Sequence, residues 1–250
     1  MIHRFFQWGV VAIWFLCALL IKTFPGSLWW WIVSGVIIDG VFVVLYAKRI
    51  HDFSWSFYFP WILGAYASLF LFMFLDRPLL RDVWFVSVTI CSVLYWYRLE
   101  KWAHAPSEQE TRVCALAAFW LALGLAAGGI TLYAWQIFVG QSAWILAFWV
   151  FMLIGTTTIT MLKLKYKNSA PEFFLHSAVL MLIAFELFWV VGFTTLGFAS
   201  KGYLWASGVW YSWWLFILIQ QKNIKTTHVL KGTGILFLSW SIVFFFTRWF

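Results

Sequence analysis

The chain has 250 residues, of which 64% are hydrophobic and only 10% charged. Soluble domains carry about 45–50% apolar and roughly 25% charged residues, so a soluble globular protein is excluded. Basic residues outnumber acidic ones 17 to 9, a formal net charge of +8, and in a chain this apolar the excess belongs to cytoplasmic loops rather than to a nucleic-acid surface.

A membrane-spanning helix needs about 20 apolar residues. Runs near that length, separated by charges, Pro and Gly, predict nine spans: Phe5–Ile21, Ser27–Ala47, Trp55–Leu75, Leu79–Tyr97, Val113–Tyr133, Ser142–Leu162, Phe173–Phe193, Tyr203–Ile219 and Gly232–Phe246. The first follows Met1-Ile2-His3-Arg4 and has no A-x-A cleavage site behind it, so it reads as an uncleaved anchor rather than a signal peptide. The second begins near Trp29-Trp30-Trp31, an interfacial aromatic group, and is interrupted by Asp39. After the fourth comes Arg98–Arg112, the longest polar stretch and too short to fold alone. The fifth carries Gly124-Leu-Ala-Ala-Gly128 and then Gly129, a small-residue face that lets helix backbones approach closely. The sixth holds Thr156, Thr157, Thr158 and Thr160, and the seventh holds His176, Glu186 and Trp189. The expected fold is all-α, a polytopic transmembrane helix bundle forming one integral membrane domain over residues 1–250, with no soluble domain.

Basic residues orient the bundle. With the N-terminus inside, the inner side receives Arg4, Lys48, Arg49, Arg98, Lys101, Arg112, Lys163, Lys165, Lys167, Lys222, Lys225 and Lys231, twelve in all, and the outer side five: Lys22, Arg77, Arg81, Lys201 and Arg248. This split follows the positive-inside rule and places the C-terminus outside.

Several chemistries find no support in the sequence. Cys17, Cys91 and Cys114 have no metal-ligand or redox spacing. There is no HExxH, GxSxG or phosphate-cradling glycine loop, and every lysine sits at a helix end or in a loop. No catalytic residue, metal or cofactor is therefore assigned, and the reading leans away from an enzyme. Two carboxylates remain inside spans, Asp39 and Glu186, each costing at least about 2.5 kcal/mol at mid-membrane if unpaired. By their position in the spans they lie roughly 18 Å and 10 Å from the outer face. No Lys or Arg sits at either depth, so both are expected to be protonated and hydrogen-bonded, or to meet an exogenous cation. Ser34 is the polar side chain nearest Asp39 in its own helix, and Trp189 shares a face with Glu186 at i+3. Asp39, Glu186, Trp189, Thr157 and His176, the one histidine inside a predicted span, are the candidate residues for binding a proton, a cation or a cationic substrate group.

The aromatic-rich stretch from Glu186-Leu-Phe-Trp189 through Gly197-Phe198 to Tyr211 resembles uncharacterised multi-pass membrane proteins of candidate-phyla bacteria. The resemblance covers the last third of the chain and implies a bacterial cytoplasmic (inner) membrane setting. Three functions stay open: a small transporter or permease using the intramembrane carboxylates, a non-catalytic scaffold or partner subunit, and a membrane-embedded transferase acting on lipid-linked substrates. The expected partners are the lipid bilayer, a small cation or proton, and other membrane proteins, with no nucleic acid.

Overall fold

The structure, a computed structural model, describes residues 2–47, 55–72, 77–104, 106–140, 142–165, 170–220 and 226–246. Among the described residues are nine α-helices: α1 (Ile2–Thr23), α2 (Leu28–Ala47), α3 (Trp55–Phe72), α4 (Pro78–His104), α5 (Pro106–Phe138), α6 (Ala143–Lys165), α7 (Ala170–Gly192), α8 (Phe198–Gln220) and α9 (Thr226–Phe246). Each overlaps one predicted span. Lys48, Arg49, Lys167, Lys222, Lys225 and Arg248, six of the residues used to orient the bundle, lie outside the described residues.

Five helices contain segments long and apolar enough to cross a membrane: Pro78–Trp102, Arg112–Phe138, Ala143–Leu162, Phe174–Gly192 and Thr226–Phe245. Shorter apolar segments run over Trp8–Thr23, Trp30–Leu45 and Tyr58–Leu71. The described residues are thus all-helical, and the five long apolar helices mark a membrane protein. The polar stretch Arg98–Arg112 differs from expectation, because α4 continues to His104 and α5 starts at Pro106. Helix propensity does not stop where apolarity stops: Arg, Leu, Glu and Lys are all good helix formers. Pro106 occupies the first position of α5, where its missing N–H costs nothing.

The chain divides within α5 into two compact units, Met1–Gly124 and Leu125–Phe250. In the first unit α1 packs against α2, α3 and α4. Its buried Trp14 donates its indole N–H to the Ala65 carbonyl at 3.0 Å and stacks on Phe85 with ring centroids 5.7 Å apart. At its other end Lys22 pairs with Asp82 at 2.9 Å, which sets the end of α1 beside the start of α4. An aromatic cluster of Tyr58, Trp61, Tyr95, Trp96 and Trp120 joins α3, α4 and α5, all five side chains buried. Trp61 meets Trp96 at 5.4 Å and Trp120 at 6.5 Å, both edge to face. The indole nitrogens of Trp61, Trp96 and Trp120 have no hydrogen-bond acceptor among the described residues, and edge-to-face packing offers ring faces in place of one. Gly64 makes the cluster possible, since a Cβ there would stand 2.5 Å from the Trp120 carbonyl oxygen.

In the second unit small residues again set the helix spacing. A Cβ on Gly202 of α8 would lie 2.5 Å from the Ile130 backbone nitrogen of α5, and one on Gly129 would lie 2.5 Å from the Trp205 ring. Trp205 donates to the Ala184 carbonyl at 2.8 Å and Tyr133 to the Phe188 carbonyl at 2.6 Å, so both polar tips are satisfied by the α7 backbone. The Tyr133 and Phe188 rings stack with centroids 4.4 Å apart. Where α7 ends, Lys201 reaches back from the first turn of α8 and donates to the Gly192 carbonyl at 2.8 Å, capping α7. Burial pulls the Lys201 ammonium below the ordinary lysine range. α9 is tied to α8 by the Trp240 indole, which donates to the Ser207 hydroxyl at 2.9 Å.

Candidate functional site

Asp39 sits on α2 with no exposed surface. Its partner comes from the next helix: the Tyr66 hydroxyl donates to Asp39 Oδ2 at 2.6 Å. Gly35, one turn before Asp39, creates the space for this. A Cβ at that position would stand 2.6 Å from Cys17 Sγ and 2.8 Å from the Tyr66 hydroxyl oxygen. The notch therefore gathers a thiol from α1, a phenol from α3 and a carboxyl from α2. The thiol is itself engaged, donating to the Trp31 carbonyl at 3.4 Å. Asp39 Oδ1 is buried and has no hydrogen-bond partner among the described residues. Ser34, the neighbour singled out from sequence, instead donates to the Trp31 carbonyl at 3.2 Å.

The other four candidate residues belong to the second unit. Thr157 is fully buried on α6, and its hydroxyl is turned onto its own helix, donating to the Leu153 carbonyl at 2.7 Å and the Ile154 carbonyl at 3.0 Å. Thr156 and Thr160 do the same one turn back, to Met152 at 2.7 Å and to Thr156 at 2.7 Å. Such back-bonding satisfies a hydroxyl within a helix and leaves little of it for a ligand. His176 lies edge-on to Phe216 with centroids 4.8 Å apart. Trp189 packs its ring against Phe185 and Phe188, at 6.1 Å and 5.8 Å.

Glu186 is exposed on α7, among side chains that are apolar. Leu182 one turn before it is 59% exposed and Val190 one turn after it 63%. Among the described residues Glu186 has neither a hydrogen bond nor an ion pair. On the same unit an open apolar groove of about 520 Å³ runs between α6 and α7, lined by Phe151, Ile159, Phe174, Met181, Leu182 and Phe185 among others.

The sequence singled out the two acids and missed Tyr66, Cys17 and Gly35. The one available signal was the Gly35–Asp39 spacing, which places a missing side chain directly over the carboxyl on the same helix face. Among the described residues no group of three or more His, Cys, Asp or Glu side chains could hold a metal ion. No protein-family model, curated protein or solved structure matches this chain.

Proposed function

We propose that this protein is a non-catalytic subunit of a membrane assembly, a multi-pass scaffold of nine spans in a bacterial cytoplasmic membrane with its N-terminus inside and C-terminus outside. The observation that carries the reading is the contrast between the two acids. Asp39 is fully buried inside the first unit and accepts a hydrogen bond from Tyr66 on one of its two oxygens, an interhelical contact of the kind that holds packed helices together. Glu186 is exposed on α7 and has no hydrogen bond or ion pair among the described residues, which leaves it open to a group from another molecule. A scaffold needs close helix packing and an outward polar group, and the Gly35 notch and the exposed Glu186 support that reading.

A proton- or cation-coupled transporter is the second reading, favoured by the unpartnered Asp39 Oδ1. The two separate in vesicles. The purified protein, reconstituted with a pH-sensitive dye inside, is expected to carry no proton or cation flux that depends on Asp39. Mild-detergent extraction from native membranes is expected to yield it in a stoichiometric complex with another chain. Flux that Asp39→Asn abolishes while the fold is kept would move the function to transport.

A further inference from the structure

We infer that the α7 face around Glu186 is the docking surface for a transmembrane helix of another protein that carries a lysine or arginine at the depth of Glu186. The inference rests on the assembly reading and deepens it by naming the chemistry of the partner.

Glu186 lies six residues before the end of α7 at Gly192, about 9 Å along the helix axis. With the proposed span Phe173–Phe193 that depth falls inside the hydrocarbon layer, where no water answers a carboxylate and an intramembrane acid ordinarily faces a bundle interior or a paired charge. Here it does neither. Its surroundings on the helix surface are Leu182, Ile183, Val190 and, at the end, Phe193 with 85% of its surface exposed. An acid kept on an otherwise lipid-compatible face is costly unless a complementary group covers it.

Three observations decide what covers it. First, the described lysines of α6, α7 and α8 are Lys163 and Lys165 in the last turn of α6 and Lys201 in the first turn of α8, and Lys201 is engaged on the Gly192 carbonyl rather than on Glu186. A second copy docking through the same face would therefore bring acid to acid, so the occupant is a different chain. Second, the α6–α7 groove ends at Leu182 and Phe185, the residues one turn and one position before Glu186. By helix register Glu186 stands one turn beyond Leu182, at the edge of the groove rather than in its floor. A helix with large apolar side chains can seat in the groove while one basic side chain reaches Glu186. Third, Trp189 packs on Phe185 and Phe188 of its own helix and is not among the residues that line the groove.

The test uses synthetic transmembrane helices of leucine and alanine, each with a terminal dansyl group, in phosphatidylcholine vesicles containing the full-length protein. One peptide carries a lysine placed to meet Glu186, one carries the lysine two turns away, and one is leucine throughout. Energy transfer from the protein's tryptophans to dansyl reports association. The matched lysine peptide is expected to associate at least tenfold more tightly than the all-leucine peptide, and the shifted lysine is expected to lose most of that preference. Glu186→Leu, a change on an exposed face that leaves packing intact, is expected to bring all three peptides to the same affinity. Equal binding of the lysine and leucine peptides to the wild type overturns the inference, as does a lysine preference that survives Glu186→Leu. Association between two differently labelled copies of the protein that Glu186→Leu abolishes would overturn it in favour of a self-contact. The assembly reading fails by its own readout, an Asp39-dependent flux or a lone chain in mild detergent, so the two outcomes are told apart.

Discussion

The Tyr66–Asp39 bond matters less for its own strength than for what each group would face without it. Interhelical hydrogen bonds in membranes average about 0.6 kcal/mol and reach about 1.7 kcal/mol, whereas a buried polar group left without a partner costs about 1–3 kcal/mol. Tyr66→Phe leaves both Asp39 oxygens buried and unanswered, and a fall in stability in that larger range is expected from thermal denaturation in detergent. Adding Asp39→Leu removes the orphaned group as well, so the double variant is expected to recover most of the loss. Additive losses would show that the carboxyl serves something other than packing. Gly35→Ala is expected to cost about 1–3 kcal/mol by overpacking, while Gly40→Ala, with nothing within 4 Å of its Cβ, is expected to be neutral by the same measurement. Asp39 was legible in the sequence because an acid interrupts an apolar run. Tyr66 was not, because in such a run a tyrosine passes for one more bulky ring until a neighbouring helix gives its hydroxyl a purpose. The outward direction of Glu186 was equally hidden. A helix apolar on every side carries no periodic signal to say which side meets the core.

At the scale of helices, glycine sets which contacts can yield. A methyl on Gly64 would meet the Trp120 carbonyl oxygen, and one on Gly202 would meet the Ile130 backbone nitrogen; neither neighbour can rotate away. A methyl on Gly128 would meet only the end of the Leu153 side chain, at 2.7 Å. Gly64→Ala and Gly202→Ala are therefore expected to lower the detergent melting temperature well beyond Gly128→Ala, and equal effects from all three would contradict this packing. The small-residue face of α5 was visible in the sequence, but its counterparts on α3 and α8 were single glycines with no pattern around them. Lys201→Met removes the cap on α7 and is expected to cost about 1 kcal/mol, seen as faster amide exchange confined to residues 192–197. The helix number was legible from the apolar runs. The helix ends at Arg98–Arg112 were not, because backbone hydrogen bonding continues past the hydrocarbon boundary wherever the residues favour it.

For the whole molecule, composition alone carried the membrane assignment, because no soluble core could absorb so much apolar surface. The Lys22–Asp82 pair brings the end of α1 to the start of α4, as the proposed nine-span topology requires. It also engages one of the basic residues that the proposed orientation places outside, and the Lys201 cap engages another. Reporter fusions within 98–112 and within 163–167 are both expected to report cytoplasm. A periplasmic signal from either would overturn the proposed nine-span orientation.

The tryptophan cluster of the first unit has an optical consequence. Rings as close as Trp61 and Trp96, with Trp120 beside them, exchange excitation before they emit, and their fixed mutual angles give the coupled transitions a handedness. The cluster should absorb circularly polarised near-ultraviolet light as a group, with a signal that vanishes when α3, α4 and α5 separate. The first unit thus carries its own chromophore, and its melting can be followed in native lipid without attaching a dye.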